Sequence, residues 1–294
     1  MATAAVKQSQ ILNVSGDSST YFDYSSVELE DPPRFLPYDF EVYDWKEWCR
    51  YMSVKWHFCL IAGVIYIITI FGLKAFMSTR KALDLKRELF LWNLTLGIFS
   101  IVGFIRTAPE FFFVLSSENG FYKTICERSG GNMPLAFWSL AFILSKYVEL
   151  GDTVFIVLRK RPLIFLQWYH HLMTMVMCWI SAPYLEPISR YYVVMNYAVH
   201  SLMYPYFALK AINIQIPRFV SNVITTCQLT QMIVGLFVNM YTVYLINGAE
   251  ADCYRHQVSM RLSFVVYGSF TVLFGKLFND VVAKSRTIPK TKSS

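Results

Sequence analysis

Apolar positions in this chain come in long continuous runs, with neither the strict alternation of strands nor the one-faced stripe of a surface helix. Seven runs, at about 57–77, 89–115, 134–158, 163–182, 188–209, 219–246 and 258–282, could each cross ~30 Å of hydrocarbon at ~1.5 Å per helical residue. Lipid leaves only helices or closed barrels as spanning structures, and barrel strands would read as short alternating segments. The pattern therefore predicts an all-α polytopic membrane protein with seven transmembrane helices. Residues 1–56 lack the apolar core of a cleavable signal. The expected layout is a tail over 1–56, a helical domain over 57–283 and a short polar tail over 284–294, with no internal repeat.

Composition supports this. Only 16% of residues are charged and 55% are hydrophobic, with a mean hydropathy of +0.37, against roughly 25% charged in soluble domains. Disordered, collagen-like and disulfide-scaffold classes are excluded, and a soluble two-domain enzyme would need more surface charge. The net charge of +7 follows topology and gives no sign of nucleic acid. Loops 78–88, 159–162, 210–218 and 284–294 hold thirteen Lys and Arg, and the opposite loops 116–133, 183–190 and 247–256 hold four. Basic residues stay on the cytosolic side, so the amino terminus is expected in the lumen and the carboxyl terminus in the cytosol. Nine acidic residues and three basic ones near the first span complicate the count in the N-terminal tail.

Two sequons follow from that topology. Asn13 lies on the expected lumenal side and is a candidate for glycosylation, while Asn93 falls inside a span and should stay unmodified. Cys59, Cys178 and Cys227 fall within spans and read as small apolar packers. Cys49 precedes the first span. Cys126 and Cys253 both lie in expected lumenal loops, where a disulfide between them is chemically allowed.

Ionisable residues inside spans are costly and mark functional candidates. Span three carries Lys146, Glu149, Asp152 and Thr153, and span four carries Gln167, His170, His171 and Thr174. Span five carries Asn196, His200, Tyr204 and Tyr206, and span six carries Gln228 and Gln231. At ~1.5 Å per residue from the cytosolic ends, Asp152 lies ~9 Å deep, His170 ~10 Å, His200 ~13 Å and Gln228 ~14 Å, with Lys146 and Gln231 at ~18 Å. Four helices thus place polar groups at similar depth, which predicts one cavity open to the cytosol. Isolated Gln or Thr residues in spans are commonly interhelical hydrogen-bonding groups, and Lys146 with Glu149 reads equally well as a buried structural pair. Arg106 and Glu110, four residues apart and far from this depth, read as a structural pair.

Three of the five histidines fall in this layer. Neutral imidazole can act as nucleophile, base or metal ligand. A desaturase-like di-iron site needs more histidines than the chain has. A zinc on His170, His171 and His200 is conceivable, but nothing in the sequence requires a metal, and none is expected.

These residues form four ordered motifs. They read Lys146-Tyr-Val-Glu149-Leu-Gly-Asp152-Thr153, then Gln167-Trp168-Tyr169-His170-His171, then Asn196-Tyr-Ala-Val-His200-Ser-Leu-Met203-Tyr204, then Thr225-Thr-Cys-Gln228-Leu-Thr-Gln231. The chain resembles the ELO family of condensing enzymes in very-long-chain fatty acid elongation, over nearly all of 57–294. The resemblance implies six helices around a narrow acyl tunnel, in an endoplasmic reticulum enzyme that joins malonyl-CoA to a long-chain acyl-CoA. The products would be a 3-oxoacyl-CoA two carbons longer, CoA and CO2, with no cofactor. It also implies a Cys126–Cys253 disulfide and working contact with the reductases and dehydratase of the cycle; a homo-oligomer is compatible with it.

Carried over by motif, His170 would be the nucleophile holding the acyl group as an acyl-imidazole, and His200 would polarise the thioester carbonyl with Asn196 orienting it. His171 would join them as a catalytic residue; Lys146, Glu149, Asp152, Thr153, Gln167 and Tyr204 would support the site, and Gln228, Gln231 and Tyr169 would meet substrate. One departure is Gln167, where the family usually has a histidine; glutamine cannot act as a base. Phe207 replaces a frequent tyrosine, and Pro205 should kink span five beside the site. Trp168-Tyr169 resembles the branch acting on saturated and monounsaturated chains. Lys290 and Lys292, near the carboxyl end, match a di-lysine retrieval signal. The rival readings are a seven-helix receptor or transporter with a polar cavity, and a zinc-dependent membrane hydrolase.

Overall fold

The computed structural model describes residue 24 and residues 27–31, 33–128, 131–249 and 251–283; Asn13, Lys290 and Lys292 lie outside them. The described residues are mostly helical, with no strand among them. In chain order the α-helices are α1 (Trp45–Val54), α2 (Phe58–Met77), α3 (Lys86–Leu115), α4 (Gly120–Cys126), α5 (Met133–Glu149), α6 (Gly151–Leu158), α7 (Phe165–Ser181), α8 (Ser189–Ala211), α9 (Arg218–Asn247) and α10 (Gln257–Phe278).

Each of the seven apolar runs is helical. Four helices among the described residues, Phe58–Met77, Lys86–Leu115, Arg218–Asn247 and Gln257–Val281, are both long and apolar enough to cross a membrane. The other three runs are not among these four. The run expected over 134–158 is divided at Leu150 into α5 and α6. The α7 helix is 17 residues long, and α8 buries Arg190, Asn196 and His200.

Local signals set the ends. Asp44 caps α1 by accepting the Glu47 amide, and Asn132 caps α5 by accepting that of Leu135, each satisfying a donor the first turn leaves open. Pro217 opens α9. Antiparallel neighbours then pack closely: α3 lies along α8, and α9 along α10. Close approach at α3–α8 depends on Gly103, whose missing side chain leaves room for the Tyr197 ring; small residues have this role wherever helices meet in lipid. Tyr197 in turn donates to the carbonyl of Trp138 at 2.8 Å, tying α8 to α5.

Cys126 and Cys253 form a disulfide linking the end of α4 to the segment before α10. The expected Arg106–Glu110 pair does not form. Arg106 binds Glu41 through two nitrogens, at 2.8 and 2.5 Å, and Glu110 accepts from Arg190 at 3.0 Å. Each buried charge has found its partner on another segment, where one contact both neutralises it and fastens two elements.

Glu41 belongs to the segment read as a tail. That segment is packed against the helices: Tyr24 donates to the Pro183 carbonyl, Tyr43 to that of Ala136, and Trp138 to Glu41.

Candidate active site

Most of the polar side chains singled out by depth meet where α5, α6, α7 and α8 converge. Lys146 Nζ donates to Glu149 Oε1 at 2.7 Å and to Asn196 Oδ1 at 2.8 Å, joining α5 to α8. Ser145 also donates to Glu149 Oε1. His200 Nδ1 lies 3.8 Å from that oxygen, and its Nε2 lies 3.3 Å from Asn196 Nδ2. Lys146, Glu149, Asn196 and His200 are all buried, so this is one compact network in which charge is answered locally.

A second group centres on Asp152. Trp92 donates to Oδ1 at 2.6 Å and Tyr204 to Oδ2 at 3.0 Å, while His171 Nε2 stands 3.7 Å from Oδ2. The Trp92 contact rests on Gly151, because a side chain there would press on the indole, 2.7 Å from its nearest ring atom. Thr153 faces α2 instead and shares a 2.7 Å hydrogen bond with Tyr66.

His170 stands apart from both groups. Its ring packs on Phe270 and Phe274 of α10, with centroids 4.8 and 5.7 Å away, and it borders an internal cavity of about 230 Å3. Lys146, Asn196, Thr174 and Gln231 border the same cavity; His171, His200, Glu149 and Asp152 do not. Side chains at 170 and 171 project ~100° apart on a helix, and here one meets the cavity while the other meets a carboxylate. Thr174 bonds back to the carbonyls of His170 and His171.

The fourth motif divides. Gln231 reaches the cavity wall, whereas Gln228 donates to the Met203 sulfur. Tyr169 is also placed away from the cavity, donating to Ser269 and stacking on Phe165. Gln167 is half-buried. Among the described residues no three His, Cys, Asp or Glu side chains gather closely enough to hold a metal ion.

Sequence reasoning did not single out Trp92, Tyr66 or Phe270. An aromatic residue in a span reads as core or interface anchor, and only the fold reveals that these rings touch the site. The same holds for Leu29, Tyr43, Trp45 and Cys49, which also border the cavity.

Comparison with known proteins gives a consistent picture. The GNS1/SUR4 (ELO) family model matches residues 51–289. The chain is 41% identical to Very long chain fatty acid elongase 6 of Drosophila melanogaster over 78% of its own length and 73% of that protein. It is 39% identical to Putative fatty acid elongase 3 of Caenorhabditis elegans, over 90% of this chain and 82% of that one. It is 35% identical to human Very long chain fatty acid elongase 3, over 91% of this chain and 98% of that protein.

Proposed function

The chain belongs to the ELO family of very-long-chain fatty acid elongases, and from that premise we propose a residue-level account of how it condenses malonyl-CoA with a long-chain acyl-CoA. The activity is that of a 3-oxoacyl-CoA synthase: the acyl chain gains two carbons, and CoA and CO2 leave. The observation that carries the residue assignment is that His170 is the one histidine of the three whose side chain borders the cavity.

His170 attacks the thioester carbonyl, forming a carbon–nitrogen bond as the carbon–sulfur bond breaks and CoA leaves. Malonyl-CoA loses CO2, and its carbanion attacks the acyl-imidazole carbon, returning the imidazole. Negative charge on the carbonyl oxygen develops in both steps. Lys146 and Asn196 are among the donors at the cavity wall, and preorganised donors of this kind stabilise such charge. His200 acts with Asn196, its ring beside the amide. His171 faces the Asp152 carboxylate, which Trp92 and Tyr204 hold in place. Direct condensation without the acyl-enzyme is the alternative, with the histidines as acid–base groups.

The cavity is the acyl tunnel in this reading, within a seven-helix endoplasmic reticulum protein of lumenal amino terminus and cytosolic mouth. Lys290 and Lys292 would direct retrieval, Asn13 would carry glycan, and the cycle's reductases and dehydratase would take up the product. The test is labelled malonyl-CoA with acyl-CoAs of varied length, followed by acid quench to trap acyl-enzyme. Label in 3-oxoacyl-CoA together with acyl adduct on His170 supports the account. Wild-type turnover in His170→Ala overturns it.

A further inference from the structure

One end of the cavity carries hydrogen-bonding groups that the protein itself does not answer. Ser181 ends α7 and borders the cavity, ~17 Å along the helix from His170 at ~1.5 Å per residue. Asn132 caps the start of α5 and borders it too. These two helix ends meet, because Leu185, just beyond α7, packs in one cluster with Met133 and Ala136 of α5 and with Cys49. Arg128 borders the cavity at the same end. Burial raises the Cys49 thiol above its ordinary range, and the Arg128 guanidinium nearby opposes that shift.

Arg128 Nε, Asn132 Nδ2 and Ser181 Oγ are buried atoms with no hydrogen-bond partner among the described residues. Asn132 is 1% exposed, and its cap fixes its orientation. Its Oδ1 accepts the Leu135 amide at 2.9 Å, so the NH2 faces the other way. Two of the three open atoms can only donate. Buried donors left unanswered are costly, so the ligand they call for is an oxygen acceptor. Its charge follows from the neighbours. Arg190 is bound to Glu110 at 3.0 Å, and Glu186 accepts from Arg255, the His256 amide and Ser259. Arg128 enters no ion pair among the described residues; its guanidinium lies over the Tyr254 ring at 4.3 Å. The remaining anion of the wall, Glu28, is exposed, where water and salt screen it. The positive charge left unanswered is that of Arg128.

We propose that this end of the cavity binds the carboxylate of a fatty chain whose tail lies towards His170. The inference rests on the function proposed above, in which the cavity holds an acyl chain. Two sources carry the same chemistry. A free fatty acid lies with its methyl end at His170 and competes with acyl-CoA. An ω-carboxyacyl-CoA lies the other way, its thioester at His170 and its far carboxylate here. With C–C bonds of ~1.5 Å an extended chain advances ~1.3 Å per carbon, so ~17 Å spans roughly 13 carbons. Myristate fits the first case, and the mono-CoA thioester of tetradecanedioic acid fits the second.

The experiment measures radiolabelled myristate bound to the full-length enzyme in nanodiscs, above that bound by empty nanodiscs. Unlabelled myristate or methyl myristate competes, in wild type, Asn132→Asp and Arg128→Gln. Aspartate keeps the cap but puts a like charge where the donor was. Wild type should bind myristate about tenfold more tightly than the ester, as charge-assisted hydrogen bonds require. Each variant should cut that preference by about threefold or more while leaving the ester's affinity unchanged. Equal affinity for acid and ester in wild type, or an undiminished preference in both variants, overturns the proposal. Condensation assays separate the sources. A free acid raises the KM for palmitoyl-CoA with kcat unchanged, and does so less in Asn132→Asp. An ω-carboxylate gives the tetradecanedioic thioester a KM below that of myristoyl-CoA, an order that Asn132→Asp reverses. Neither effect in an active enzyme overturns the proposal as well. A carboxylate preference in a wild type that condenses no acyl-CoA would instead refute the function proposed above and leave the site standing.

Discussion

Lys146 donates to the side-chain oxygen of Asn196 at 2.8 Å, and this one contact fixes the chemistry of the histidine next to it. An ammonium can only donate, so the Asn196 oxygen faces Lys146 and its NH2 faces outward. That NH2 lies 3.3 Å from His200 Nε2, which must therefore accept. The remaining proton of neutral His200 then sits on Nδ1, towards Glu149 Oε1 at 3.8 Å. Tautomer and ring orientation are thus set by a chain of partners reaching back to α5.

Asn196→Asp tests this chain directly. The carboxylate still accepts from Lys146, but no longer donates to His200, and it removes a donor from the cavity wall. We expect condensation to fall on the order of 100-fold, with acyl-CoA binding and folded yield retained. Asn196→Asp activity within threefold of wild type would show that the amide orientation is irrelevant.

A second prediction concerns a contact made possible by the absence of a side chain. Gly151 lets the Trp92 indole approach, and Trp92 donates to Asp152 at 2.6 Å. Gly151→Ala should push the indole away and loosen the carboxylate facing His171. Turnover is expected to drop by about tenfold, of order 1.4 kcal/mol. Because the steric cause is the ring, Trp92→Leu in the Gly151→Ala background should cost nothing further; an additive loss in the double variant would refute the mechanism.

How much of this the sequence carried depends on the kind of residue. Charges and imidazoles are rare in spans, so depth alone located Lys146, Glu149, Asp152, His170 and His200; the structure joins Lys146, Glu149 and His200 in one network, places Asp152 in a second group and leaves His170 apart at the cavity. Depth could not separate neighbours by direction, and so could not tell that Gln231 borders the cavity while Gln228 meets Met203. Nor could depth tell that the α6 residue Thr153 bonds Tyr66 of α2. The packing of the N-terminal segment was invisible because residues 1–56 have no long apolar run, and the anchoring is tertiary: Tyr24, Tyr43 and Glu41 each bond residues far along the chain.

The exchange of partners by Arg106 and Glu110 gives a third prediction. A double-mutant cycle between Arg106→Met and Glu41→Gln should show a coupling of roughly 1–3 kcal/mol in thermal unfolding. The same cycle between Arg106→Met and Glu110→Gln should be additive, because Glu110 pairs with Arg190. Helical spacing alone would have predicted the opposite result, so coupling of Arg106 to Glu110 but not to Glu41 would discard the assigned pairs.

The Glu41–Arg106 contact also makes attachment of the N-terminal segment sensitive to pH. Burial alone would raise the Glu41 carboxyl, but the Arg106 guanidinium, the Tyr38 amide and the Trp138 indole outweigh it and hold it below its ordinary value of 4.5. A carboxyl depressed in the folded state takes up its proton more readily once released. Its contribution is therefore complete above the ordinary value and lost as pH falls through that value towards the lower, latched one. Hydrogen exchange in residues 33–44, corrected for its intrinsic pH dependence, should remain slow at neutral pH and accelerate below about pH 4.5. Glu41→Gln removes the titrating group, so its exchange should be fast and nearly independent of pH across the same range. A wild-type segment that stays protected well below pH 4 would mean that Tyr24 and Tyr43 hold it without the carboxylate.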